Sequence, residues 1–235
     1  MLKRRLSVII PVYNEMAVLD KLFDQLEQLK GKCEIIFVDG GSADGTPDRI
    51  TKKGGRVLRS PLGGRANQMN YGAKVAKGDI LWFVHADSQL PKAALAHIRR
   101  VFARGYRIGC FPIRFTDRHP FMVIHEFLSN RVRAAVMNIA FGDQAMFMER
   151  SLFEELGGFA PIPLMEDYKF SMDMKKAGHK LGLAGAKITT SARRYNANGL
   201  LRTMWQMQVL QFKFRRGDDI NDIAKKYNSM KGGGR

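Results

Sequence analysis

The chain has 235 residues, 45% hydrophobic and 10% aromatic, with 39 basic against 22 acidic side chains and a net charge of +17. That apolar content can build the core of one large domain or of two closely joined halves, and it excludes a chain disordered by composition. The charge favours an anionic partner (nucleic acid, a phosphorylated small molecule or an anionic membrane face) over a surface that is merely rich in lysine.

The opening MLKRRLSVIIPVYNE is basic and then apolar, like a secretory leader. The apolar part breaks at Pro11 and no small-residue cleavage site follows, so Leu6 to Ile10 is expected to be a first strand instead. Val18, Leu19, Leu22, Phe23, Leu26 and Leu29 recur at helical spacing up to Gly31. Glu34 to Val38 is a second strand run, closed by DGGSADGT; Asp44 to Lys53 suits a helix, and Arg56 to Arg59 a third strand. PLGGRANQMNYGAKVAKG is a loop feeding a helix from about Arg65. Ile80 to Val84 is a continuous apolar run, as in a strand buried on both faces. This alternation predicts a parallel, doubly wound sheet.

After Pro91 a helix fits as far as Arg104, and from there the pattern loosens. IGCFPIRF carries an internal proline and suits an edge or bent strand. FMVIHEFLSNRVRAAV is compatible with a helix, QAMFM with a short strand, and Ser151 to Leu156 and Glu166 to Ala177 with helices stopped by glycines. Leu200 to Phe214 is apolar with interleaved glutamine and basic residues, and Asp219 to Tyr227 is a small amphipathic helix. The regular first half and irregular second half suggest two lobes of a single domain spanning 1–235. Cys33 and Cys110 are far apart in apolar surroundings, without metal-ligand spacing, and are expected to be reduced core residues. No stretch approaches the roughly 18 apolar residues of a spanning helix; the expected location is cytoplasmic.

PVYNE, VDGGSADGT, GGRANQMN and HAD each follow a proposed strand, so in a parallel sheet all four share one edge. His85 and Asp87 lie two apart and should emerge on the same side. Asp39 resembles the acid that takes a ribose hydroxyl in dinucleotide-binding folds, whereas Asp44 is open to a turn-and-cap reading. GGR before a helix offers amides and the Arg65 guanidinium, which suits phosphate, or is simply a flexible loop. Asp87 beside such an edge suits a hard divalent cation, Mg²⁺ or Mn²⁺, completed by substrate phosphates, or else a helix cap. His85 is equally readable as a hydrogen-bonded histidine that ligates nothing. Glu166 and Asp167 open a helix, where the macrodipole favours carboxylates and where one of them can act as a general base.

Taken together, SVIIPVYNE, EIIFVDGGSADGT, LGGRANQMNYGAKVAKGDILWFVHAD, GDQAMFM, LGGF and MEDYKFSMDMKKAG resemble family-2 glycosyltransferases of the GT-A fold. The closer resemblance is to short bacterial members in which His-Ala-Asp replaces Asp-x-Asp. The likeness covers roughly residues 5 to 195. It implies an α/β fold, a Rossmann-like, mostly parallel central sheet flanked by helices, with a smaller irregular acceptor lobe. Residues 1–105 would bind the nucleotide sugar, and 106–235, with the C-terminal helices, would carry the acceptor and the catalytic acid.

By the same resemblance Pro11, Tyr13 and Glu15 contact base and ribose, Asp39 reads the base with Asp44 in the turn beside it, and Arg65 lies near the diphosphate. Asp87 binds the metal, Asp167 is the catalytic base with Glu166 in support, and His85 stands where the first aspartate usually contacts ribose or a metal-bound water. Gln144 is a secondary candidate for acceptor or diphosphate contact, or a satisfied strand amide. Arg193 and Arg194 lie where related enzymes close a flap over the diphosphate, or else simply face solvent. The activity implied is inverting, metal-assisted transfer from a nucleotide-diphosphate sugar to an acceptor hydroxyl. Two rival readings fit less well. A nucleotidyltransferase would need a glycine-rich basic loop after the first strand, which IIPVYNE lacks; a non-catalytic nucleic-acid or anion binder finds no stacking or helix-turn-helix signature. Leu201, Met204, Trp205, Gln208, Val209 and Phe212 share one helical face with Arg202, Lys213, Arg215 and Arg216 nearby, a candidate for peripheral contact with anionic lipid that would bring the site to a lipid-linked acceptor.

Overall fold

The computed structural model describes residues 4–117, 119–190 and 200–231. Its first half alternates β1 (Leu6–Val12), α1 (Leu19–Leu26), β2 (Glu34–Asp39), α2 (Thr46–Lys52), β3 (Val57–Arg59), α3 (Arg65–Val75), β4 (Ile80–Phe83) and α4 (Ala94–Ala103). The second half contains β5 (Ile108–Cys110), β6 (Ile113–Phe115) and α5 (Pro120–Phe127), which runs on as a π-helix over Leu128–Val136. Then come β7 (Phe147–Glu149), α6 (Arg150–Glu155), α7 (Glu166–Lys176), β8 (Leu181–Leu183), β9 (Ile188–Thr190), α8 (Leu200–Arg216) and α9 (Ile220–Lys231).

Seven strands make one sheet in the order β3-β2-β1-β4-β7-β5-β8, and β6 and β9 form a separate parallel pair. All neighbours in the large sheet are parallel except β7, which runs against both β4 and β5. IGCFPIRF is therefore a bent stretch rather than one edge strand: only its second part lies at an edge. It divides at Phe111-Pro112 into β5, held between β7 and β8, and β6, which leaves for the small sheet. Proline interrupts the ladder there because it has no N–H to donate.

Strand alternation sorts the core into two faces. Val8, Ile10, Val12, Phe37 and Trp82 pack against α1, α2 and α4 through Leu19, Leu22, Ile50 and Ile98. Ile9, Ile36, Val38, Leu81 and Phe83 face α3, α6 and α7 through Met69, Ala73, Phe153 and Phe170. The Trp82 indole, fully buried, donates to the Ala145 carbonyl at 3.2 Å, so its one polar atom is satisfied. Burial pushes the Cys33 thiol up to about 11 and the Cys110 thiol up to about 12, which suits unreactive thiols, Cys110 inside the core and Cys33 half-buried against it.

From β1 the chain steps outward to β2 and β3, then crosses back to place β4 on the other side of β1. This reversal opens a crevice beyond the carboxyl ends of β1 and β4, where open α/β sheets bind ligands. Pro11 marks it. The Ile9 carbonyl accepts from the Val84 amide, so β1 turns its polar backbone toward β4 at Ile9 and again at Pro11. But β4 has ended at Phe83, so no donor is missed at Pro11.

The approach of α3 to the sheet depends on Gly72. A Cβ there would lie 2.5 Å from Ile9 Cγ2 and 3.0 Å from Val38 Cγ2, both in the core. Gly72→Val should cost about 3 kcal/mol, a fall in Tm of roughly 6–12 °C, measurable by circular dichroism melting; an unchanged Tm would show that α3 does not sit on β1 and β2 this closely.

Candidate active site

The loops after β1 and β2 are stapled to each other. Asn14, at φ +53°, accepts from the Ala43 amide at 2.9 Å through Oδ1, and its own amide donates to Ser42 Oγ at 2.9 Å. Asp39 is buried, and its carboxylate accepts from the Gly41 and Ser42 amides and from Ser42 Oγ at 2.5 Å. Asp44 accepts from the Thr46 hydroxyl at 2.6 Å, the Thr46 amide and the Met16 amide. These bonds, led by the Thr46 hydroxyl, hold its carboxyl below the usual range. The Glu15 amide donates to the same Thr46 hydroxyl at 2.9 Å. Asp39 and Asp44 thus build the loop themselves: Asp44 closes the turn onto Thr46, while Gly45 takes the cap position of α2. Pro11 is buried in β1, while Tyr13 stands 60% exposed at the edge. Beneath them the buried Gln68 donates to the Val12 carbonyl at 2.8 Å and the Val38 carbonyl at 2.7 Å, closing the gap between β1 and β2.

Arg65, His85, Asp87 and Asp167 line one cleft of about 340 Å³. His85 and Asp87 do emerge together after β4, and the turn they form is closed by the Ser88 amide donating to the His85 carbonyl at 3.1 Å. Asp87 is exposed, and no hydrogen bond among the described residues reaches its carboxylate. Opposite, α7 begins at Met165, whose φ of +65° is strained for a non-glycine residue. Glu166 and Asp167 fill its first turn, where the macrodipole favours them, and both are buried.

Arg65 joins the two sides. Its Nε donates to Glu166 Oε1 at 2.5 Å, Nη2 lies 3.7 Å from Asp167 Oδ2, and Nη1 lies 3.4 Å from His85 Nε2. Enclosure works against the Arg65 charge, but the Glu166 and Asp167 carboxylates outweigh it and hold the guanidinium above its ordinary pKa. Burial, with the Asp167 charge adding to it, lifts Glu166 above the usual carboxylate range despite Arg65. Asp167 is further fixed by the Gly142 amide, which donates to Oδ2 at 2.6 Å. A Cβ on Gly142 would sit 2.7 Å from His85 Nε2 and 3.1 Å from Asp167 Oδ2, so the close approach needs a glycine.

The far wall comes from residues that no local pattern marks. Phe115, His125, Ser129, Arg133, Phe141, Asp143 and Thr190 reach it from the middle of the chain. Met204, Met207, Gln208 and Gln211 of α8 and Tyr227 of α9 close it. Arg133 lies over the Phe141 ring at 4.1 Å and donates to Gln144 Oε1 at 3.1 Å. Gln144 is fully buried and does not line the cleft; its Oε1 also accepts from the Phe141 amide at 3.2 Å. Met204 and Gln208, expected on a lipid-facing stripe of α8, instead turn into the cleft, whereas Trp205 and Phe212 are exposed. α8 docks through Leu210, with Met207 and Phe214, onto Ile139, Met165 and Tyr168. Arg193 and Arg194, and the side chain of Leu201, lie outside the described residues.

A family model described as glycosyl transferase family 2 matches residues 7–157. The chain belongs to that family. It is 33% identical over 114 residues to an undecaprenyl-phosphate 4-deoxy-4-formamido-L-arabinose transferase of Aeromonas hydrophila, a match covering 43% of this chain and 35% of the relative. It is 27% identical over 215 residues to the 4,4'-diaponeurosporenoate glycosyltransferase of Staphylococcus haemolyticus, covering 83% of this chain and 55% of that one. The chain thus spans between about a third and about half the length of these curated relatives. Among solved structures, the mannosyltransferase PcManGT from Pyrobaculum calidifontis, in complex with GDP-Man and Mn²⁺, superposes with a TM-score of 0.66 at 19% identity, covering 98% of this chain and 70% of its own. TarS from S. aureus, in complex with UDP, superposes at 0.63 and 18% identity, covering 80% and 60%. The α/β fold, with its mixed, mostly parallel sheet, is that of the GT-A structures.

Removing Arg65 leaves two adjacent carboxylates uncompensated. Arg65→Gln should cost about 1–3 kcal/mol at neutral pH, less than a fully buried pair would because the guanidinium is partly solvated. A carboxyl whose folded pKa is raised loses stability as pH rises through its unfolded value. The deficit should therefore shrink as pH falls and Glu166 takes up its proton. Urea unfolding of both proteins across the acidic range tests this; a deficit that grows toward low pH would contradict the charge assignment.

Proposed function

We propose that the chain is an inverting glycosyltransferase that moves a sugar from a nucleotide-diphosphate donor to an acceptor hydroxyl. The observation that supports this most directly is that Asp87, Arg65 and Asp167 open onto one cleft. The division of labour we propose gives the donor to the first half, through the loops at Pro11, Tyr13, Glu15, Asp39 and Asp44, and the acceptor to the second.

A divalent cation, Mg²⁺ or Mn²⁺, fits the donor set. Asp87 offers an unengaged hard oxygen in the cleft, while no group of three potential metal ligands exists among the described residues. Such a cation would depend on donor phosphates and water for the rest of its shell. Held by Asp87, it would supply neutralisation of charge on the departing diphosphate. The relatives' complexes with Mn²⁺ and with UDP agree with this assignment.

Arg65 is the chain's own counter-charge for the diphosphate, held in place beforehand by Glu166 and needing little reorganisation when charge develops. Asp167 takes the proton from the acceptor hydroxyl as it attacks the anomeric carbon from the face opposite the leaving group. The Gly142 amide on Oδ2 and the Tyr168 amide on Oδ1 fix the carboxylate's direction while leaving further lone pairs for that proton. His85, beside Arg65, takes the place of a carboxylate at the donor end and adds no negative charge near the phosphates when neutral. For the acceptor we propose a molecule that carries the attacking hydroxyl on a hydrocarbon chain; the Aeromonas relative, whose name specifies undecaprenyl-phosphate, supports the lipid part of this reading. The methionines of α8 give the cleft an apolar wall suited to such a chain.

Asp167→Asn should lower transfer by roughly 10²–10⁴-fold while nucleotide-sugar affinity survives, since only proton acceptance is lost. Full activity in that variant would remove the base assignment. Asp87→Ala should weaken nucleotide binding in the presence of Mg²⁺ or Mn²⁺ and make it insensitive to EDTA, as read by calorimetry. Equal binding by both proteins, with and without chelator, would count against a cation at Asp87.

A further inference from the structure

The segment from Pro120 to Val136 has two unlike sides. Its inner side is firmly held. Met122 is buried, the Asn130 side chain bonds both the amide and the carbonyl of Ile113 at 2.7 and 2.8 Å, and Lys187, just before β9, pairs with the buried Glu126. That same side sends His125, Ser129 and Arg133 into the cleft. Its outer side exposes Phe121, Ile124, Phe127, Leu128, Val132 and Val136, with Phe127 at 59% and Val136 at 73%. The spacing of three and four residues gathers them into one stripe along the helix. Among the described residues no packing accounts for a stripe that long and apolar, and monomeric proteins rarely leave such patches bare without a partner.

We infer that this outer stripe docks on an anionic lipid bilayer, so that the cleft opens next to the membrane surface. Three observations single out a bilayer. The stripe is convex along a single helix rather than a groove, which suits insertion into a planar interface. The chain carries a net charge of +17, and Arg131 stands exposed beside the stripe, so the electrostatics match an anionic surface. The other wall of the cleft, α8, repeats the pattern: Trp205 is 71% exposed and Phe212 57%, with Arg202 three residues before the first and Arg215 three residues after the second. Both helices that wall the cleft thus present aromatic side chains and arginines outward, and a bound acceptor with a hydrocarbon chain would reach the cleft from the lipid. That delivery rests on the transfer reading proposed above; docking itself does not.

The test is sedimentation of the full chain with vesicles of phosphatidylcholine alone or mixed with phosphatidylglycerol, at low and high salt. Wild type should bind the mixed vesicles, bind them less at high salt, and leave pure phosphatidylcholine largely unbound. Ile124→Glu/Phe127→Glu should reduce binding by roughly tenfold or more, since it puts two charges on the inserted face. Neither residue touches the cleft, so the melting temperature and slow donor hydrolysis should be unchanged. Trp205→Ala should weaken binding by a smaller factor. The inference is overturned if wild type stays unbound to mixed vesicles at low salt, or if the double variant binds as wild type does, which would leave charge alone as the cause. It is equally overturned if wild type without lipid forms a dimer that the double variant dissolves, which would put a second copy on the stripe. Absence of donor hydrolysis in wild type that still binds vesicles would defeat the transfer reading and leave the docking surface standing.

Discussion

The ion pair between Arg65 and the Glu166–Asp167 carboxylates ties together two halves that the chain makes separately. Arg65 opens α3, from the strand–helix half; the two acids open α7, a hundred residues later. Both helices point their amino ends at the same place. The dipole of α7 favours its acids there, while that of α3 works against a cation at its own first turn. The carboxylates offset that cost, and the guanidinium in turn lets two acids share a buried first turn. Each charge is tolerable only because of the others, so the cluster holds the halves in register at the cleft.

Rigidity around the cluster comes from backbone segments pinned by hydrogen bonds. Met165 and Ala145 both sit at positive φ, in the segments that deliver Asp167 and β7. Residues in such conformations cost of order 1–3 kcal/mol each and persist where the surroundings over-determine them. Here the surroundings are explicit: Gly142 holds Asp167, Trp82 holds the Ala145 carbonyl, and Asn70 holds both the amide and the carbonyl of Phe159 at 2.9 and 2.7 Å.

Much of the first half was legible from the residues alone because buried parallel strands read as unbroken apolar runs, and Ile80–Val84 led to His85 and Asp87 on a shared edge as expected. The acid pair at Glu166 and Asp167 was legible too, as a loop-to-helix motif. What stayed hidden has physical reasons. The stretch from Leu128 to Val136 winds as a π-helix, whose spacing a 3.6-residue pattern does not detect. β7 is three residues long, too short to announce that it runs antiparallel. Asp39 and Asp44 carry a signal that a ligand contact and a self-capping turn share, and only coordinates show their lone pairs bonded within the loop. The far wall, from Ser129 to Tyr227, is assembled by long-range packing, and Gln68 looks like any polar residue on a helix until its amide is seen bridging β1 and β2.

The reversed direction of β7 has a consequence for how such a protein could diversify. In a parallel sheet it is the connection leaving each strand that reaches the crevice. For β7 it is the connection arriving, residues 137–146, that does so, bringing Phe141, Gly142 and Asp143 to the rim. That stretch is also tied to the strand beside it, since the Ala145 and Met146 carbonyls accept from Trp82 and Phe83 of β4, so the rim of the cleft and the sheet beneath it can change only together.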